Sequence, residues 1–117
     1  MTWTRVPSTT YNLFEQAMRR RQQIVCVYGG YLRELCPVIL GHSDGHETAL
    51  TYQFAGQSSG RLPPGGQWKC LRLSKARDVR LREGRWHTSN RHLQRQSCVE
   101  VVDLDVNPDS PYRPRRR

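Results

Sequence analysis

Ile24-Val25-Cys26-Val27-Tyr28-Gly29-Gly30-Tyr31-Leu32-Arg33-Glu34-Leu35-Cys36-Pro37-Val38-Ile39-Leu40 is the stretch that decides the fold. Ile24 to Tyr28 is rich in β-branched residues, and Tyr31 to Leu40 returns from it across a glycine pair. A two-residue hairpin turn needs φ > 0 at both central positions, which glycine reaches without a steric penalty, so the stretch reads as two antiparallel strands. Pro37 cannot donate to a ladder, which places that point at an edge or a bulge.

Upstream, Leu13, Phe14, Ala17 and Met18 recur at helical spacing within Tyr11 to Arg21. Ser8, Thr9 or Thr10 can cap this helix, and Arg19 to Arg21 suit its negative end. Downstream, His42-Ser43-Asp44-Gly45 reads as a second turn, and Glu47 to Ala55 alternates so that Leu50, Tyr52 and Phe54 share an expected core face. Gly56 to Gly66 reads as an exposed loop. Gln67 to Leu73 then buries Leu71 and Leu73 while Cys70 and Arg72 point away, and Arg77 to Arg82 turns Val79 and Leu81 inward. A polar patch from Thr88 to Gln96 precedes a last strand, Val99 to Val106, expected to set Val102, Leu104 and Val106 on one side and Asp103 and Asp105 outward. One helix and six or so short strands describe a mostly β fold, a small barrel or a strongly bent antiparallel sheet with the helix over one open end. Residues 1–10 are expected to be a flexible N-terminus, 11–107 a single domain and 108–117 a disordered basic tail.

The 117 residues carry a formal net charge of +9, and 17 of the 19 basic residues are arginine. Such a balance favours anionic partners. Apolar runs fall far short of the roughly 20 residues that span a bilayer, so no membrane partner is expected. The first residues lack the apolar stretch of a secretory signal, which leaves the cytoplasm as the expected compartment. There, cysteines 26, 36, 70 and 98 read as free thiols.

Catalytic and metal signatures are sparse. Neither C-x-x-C nor H-E-x-x-H occurs, and His42 and His46 flank a glycine turn whose geometry breaks any helical pairing of ligands. Gly41-His42-Ser43-Asp44-Gly45 lacks the strand-to-helix context of a nucleophile elbow. No metal, cofactor or enzymatic activity is therefore expected. What remains is arginine mixed with aromatics, the combination that grips phosphates while stacking on bases.

The order of these features resembles the WYL domain family. The resemblance rests on the helix, the strand ending in Tyr28, the glycine turn, Arg33 and Pro37, and the later Leu71-Arg72-Leu73-Ser74-Lys75-Ala76 with Val79 beyond it. The family pattern there is an apolar residue followed by Arg-Leu-Asp-Arg-Ile, so Ser74, Lys75 and Ala76 depart from it, and the name-giving tripeptide falls on Thr48-Ala49-Leu50. The resemblance implies an Sm-like small β-barrel with a leading helix, acting as a ligand-sensing or nucleic-acid-binding part of a bacterial regulatory or accessory protein. It implies a site at Tyr28, Arg33 and Arg72, with Lys69 and Lys75 beside them. The expected ligand is nucleic acid, single-stranded above all, or an anionic small molecule such as a nucleotide. A protein partner supplying a DNA-binding module and a homodimer both stay open. Two other readings remain: a protein-interaction subunit with no ligand of its own, and a small hydrolase or nuclease using His87 or His92.

Overall fold

The computed structural model describes residues 6–58, 60–88, 96–108 and 110. Most of the basic tail, and the middle of the polar patch with His92, lie outside the described residues. The helix, α1, spans Thr9–Arg20 and so takes in two residues expected in the N-terminal segment. Ser8 caps it, its hydroxyl accepting the Tyr11 N–H at 3.0 Å, and Arg21 ends it in the left-handed region at φ 54°. Its buried stripe is Tyr11, Phe14, Ala17 and Met18; Tyr11 takes the place expected of Leu13, which is only half-buried.

Strands β1 (Gln23–Tyr28) and β2 (Tyr31–Ser43) form the expected hairpin, with Tyr28 opposite Tyr31 and Gly29 and Gly30 at φ 62° and 82°. A second tight turn, with Asp44 and Gly45 both at positive φ, leads into β3 (His46–Gly56). β4 (Gln67–Arg72), a single 3-10 turn (Leu73–Lys75) and β5 (Ala76–Arg82) follow, and β5 returns to pair with β1. The sheet order is β4-β3-β2-β1-β5, and β6 (Val101–Asp105) pairs with the far half of β2. The sheet is strongly bent, and among the described residues β4 and β5 do not pair, so it does not close into a barrel.

Pro37 lies in the central strand, so its expected edge position does not hold; the bulge does, as the β2–β3 register shifts between Pro37 and Ile39. On the other side, β1 pairs with β2 only as far as Leu35 and β6 begins at Ile39, which leaves Pro37 in the gap between two partners. Gly41 lies where β6 crosses closely: a Cβ there would stand 1.9 Å from the Val101 carbonyl oxygen.

Burial falls on both faces of the sheet, which overturns two expectations. The principal core joins α1 to Ile24, Cys26, Leu35, Leu40, Ala49, Leu71 and Leu73. A second core of Val38, Ile39, Val99 and Val102 lies under Leu50, Trp68 and Trp86. On β3 it is therefore Ala49, Thr51 and Gln53 that are fully buried, whereas Leu50, Tyr52 and Phe54, the expected core face, are half-buried. On β6, Val102 belongs to the second core and Leu104 to the first, after a register shift between Leu40 and Gly41. Asp103, expected to face outward, is 5% exposed.

The cysteines need a correction as well. Cys70 and Cys98 form a disulfide, with Cα atoms 5.7 Å apart, and only Cys26 and Cys36 are free and buried. The outward side of β4 meets the segment leading into β6, a proximity that a compartment argument could not reveal.

Candidate functional site

The β1–β2 hairpin places Tyr28, Tyr31 and Arg33 on the same face as the core residues Ile24, Cys26 and Leu35 by strict alternation. α1 packs on that face over Ile24, Cys26 and Leu35, and Arg33 lies buried towards its hairpin end. Its Nε donates to the Tyr28 carbonyl at 3.0 Å and its Nη1 donates to Gln53 Oε1 at 3.0 Å. The guanidinium sits 5.5 Å from the Tyr28 ring centroid and 5.8 Å from that of Tyr31. Arg33 is 6% exposed, yet no carboxylate pairs with it among the described residues. The nearest acid in sequence, Glu34, is pledged to Arg82 at 2.6 Å. Gln53 is locked in turn by its own amide, which donates to the Ala55 and Gln57 carbonyls.

The other expected positions gather around this centre. Arg72 is exposed at the end of β4, its backbone N–H donating to the Tyr28 hydroxyl at 3.1 Å. Lys69 pairs with Thr51, two steps along the ladder from the Gln53–Gln67 pair, and is half-buried on the same strand face as Leu71. Lys75 is exposed beside Ala76, the register partner of Tyr28. Structure thus brings Tyr28, Arg33 and Gln53 into direct contact, with Arg72 tied to them through its backbone. Gln53 was missed because an amide on a strand with flanking aromatics carries no sequence mark of burial. Across the hairpin from Arg33, burial pushes the Cys26 thiol up to about 11, and the nearby guanidinium only partly offsets this.

A cavity of about 790 Å3 opens at the end of the sheet away from Arg33; none of the five expected residues lines it, although Ser74, between Arg72 and Lys75, does. Tyr11, His42, Glu47, Ser74 and Asp103 line it. His87, one of the histidines singled out from the sequence, instead stacks on Phe54 with ring centroids 4.1 Å apart. No family model, no curated protein and no solved structure matches the chain. Among the described residues, no helix is long and apolar enough to cross a membrane.

Proposed function

We propose that the protein is a ligand-sensing or nucleic-acid-binding module, a regulatory or accessory protein of the WYL kind, that holds an anion at Arg33. One observation carries this reading: a buried guanidinium held by two neutral acceptors, with no counter-charge among the described residues. Buried charges are normally paired, because desolvation costs several kcal/mol per ion. An anionic ligand supplies the missing partner, and the carbonyl and amide contacts hold the fork ready for it. Arg72, Lys69 and Lys75 extend the positive field from this point. Tyr28 and Tyr31 offer rings for a base, which favours single-stranded nucleic acid or a nucleotide over a simple anion. A titration of fluorescent short single strands at two salt concentrations tests the reading. Affinity is expected to fall steeply with salt through loss of phosphate contacts, and salt-independent or undetectable binding would hand the reading to a protein-interaction subunit.

A further inference from the structure

The cavity lined by His42, Glu47 and Asp103 contains a second, chemically different apparatus. Asp103 on β6 is 5% exposed, and its Oδ2 accepts the Tyr11 hydroxyl at 2.6 Å and faces His42 Nδ1 at 3.1 Å. The three residues come from three elements, β6, α1 and β2, and the His42 ring lies 5.8 Å from that of Tyr11. Burying a carboxylate is expensive, and an apolar residue of similar volume would serve packing at least as well. What the carboxylate adds is an anion 3.1 Å from Nδ1, which favours the tautomer protonated there, whose Nε2 carries the lone pair. The His42 side chain remains 35% exposed, and Nε2 has no partner among the described residues. Its cavity, about 790 Å3, is of the size that takes small molecules.

We propose that His42 is the general base, and then the general acid, in hydrolysis of an uncharged carboxylic ester bound in this cavity, with Asp103 and Tyr11 as positioning residues. The charge of the walls selects the substrate class. Glu47, the cross-strand partner of His42, joins Asp103 in lining the cavity, and two carboxylates repel a phosphodiester. Of the two imidazoles in the lining, His42 and His46, His42 alone has a carboxylate at Nδ1, and for one such base serving both steps an ester, whose alkoxide leaves more readily than an amine, is the fitting electrophile. Nε2 takes a proton from water as the water oxygen bonds to the carbonyl carbon and the C=O π pair moves onto oxygen. When that pair returns, the C–O bond to the alcohol breaks and Nε2–H protonates the departing alkoxide. One water is consumed, an acid and an alcohol leave, and His42 regains its starting state, its transient positive charge having been held by Asp103.

The test uses the full chain with 4-nitrophenyl acetate, and bis(4-nitrophenyl) phosphate as the anionic comparison. Saturable turnover of the neutral ester alone is expected, retained in His87→Gln and lowered on the order of a hundredfold in kcat, at similar KM, by His42→Gln. Asp103→Asn keeps the shape but removes the negative charge beside Nδ1, so the imidazolium formed during turnover loses its counter-charge, with kcat lost and KM kept, and 15N shifts of neutral His42 should report a smaller share of the tautomer protonated at Nδ1. Turnover that is unsaturable, that survives His42→Gln, or that prefers the phosphodiester overturns the proposal, as does binding without turnover. If Asp103→Asn does not fold, the half-exposed His42 variant decides alone.

Discussion

The Tyr28 hydroxyl accepts the backbone N–H of Arg72 at 3.1 Å, across 44 positions of the chain. The same ring lies against the Arg33 guanidinium, so one side chain fixes where two arginines stand. Tyr28→Phe removes only that acceptor. A loss of about 1 kcal/mol is expected, the usual net value of one hydrogen bond, which for a domain near this size lowers Tm by roughly 4–8 °C. Calorimetry that finds Tm unchanged would show that the hydroxyl contributes nothing to holding β4 against the hairpin.

Arg33 has a structural role as well as an electrostatic one, and its variants should separate the two. Lysine keeps the charge but cannot reach the Tyr28 carbonyl and Gln53 Oε1 together. Arg33→Lys is expected to cost about 1–3 kcal/mol, as a buried acceptor loses its donor, and to weaken single-strand binding roughly tenfold, equivalent to about 1.4 kcal/mol. Arg72→Lys, at an exposed site, should weaken binding with Tm unchanged. Denaturation and titration on the same preparations check both; equal Tm losses for the two variants would contradict the burial difference on which the site rests.

Much of this architecture was legible because local chemistry and tertiary context agree there. The Gly29-Gly30 turn, the helix read at Tyr11 to Arg21 and found at Thr9–Arg20, and the alternation around Leu71, Arg72 and Leu73 each follow from a short-range rule. Where the reading failed, a long-range partner decided. Asp103 turns inward because Tyr11 and His42 wait for it, and Gln53 is buried because Arg33 needs an acceptor. Leu50 packs on a second core that exists only because β6 and the segment before it fold back over the sheet, and Phe54 stacks on His87. Of the candidate site, the identities of Tyr28, Arg33 and Arg72 came from sequence order; that Arg33 is buried between two rings could not.

Phe14 stands fully buried between α1 and the sheet, among Ile24, Leu35 and Leu71. Truncation there removes the helix's main anchor and leaves a cavity. Phe14→Ala is expected to cost about 3–5 kcal/mol, read as a lower urea midpoint with an unchanged slope. A wild-type midpoint would mean that α1 does not dock as described.

The Cys70–Cys98 disulfide closes a loop of sequence separation 28. Constraining the unfolded chain to that extent is worth about 3–4 kcal/mol in the loop-entropy picture. Reduction, or the double change to serine, is therefore expected to lower Tm by well over 10 °C for a domain near this size at roughly 4–8 °C per kcal/mol. Thiol counting gives an independent check: two groups should react in denaturant before reduction and four after it. Four reactive thiols without reductant would remove the bond from the description.

Stability should also decline at alkaline pH, and Cys26 supplies the reason. Its thiol, fully buried beneath the helix, is raised from 9.0 to about 11 by desolvation, with the positive charge of Arg33 a smaller opposing influence. Between those values the unfolded chain has released the proton while the folded protein still holds it. The unfolded state then binds fewer protons, so unfolding free energy falls as pH rises from 9, and the fall is complete once pH passes about 11. Cys36, raised in the same direction by its own burial, adds to the slope. One group contributes at most about 1.4 kcal/mol per pH unit. Tyrosines and lysines titrate in the same range, which makes the comparison with Cys26→Ala the informative one. That variant should be less stable at pH 8, where the small buried side chain is simply missed, yet lose less between pH 8 and pH 10.5. Urea midpoints measured at both pH values read this directly, and parallel declines in the two proteins would show that Cys26 is not the group that couples folding to alkaline pH.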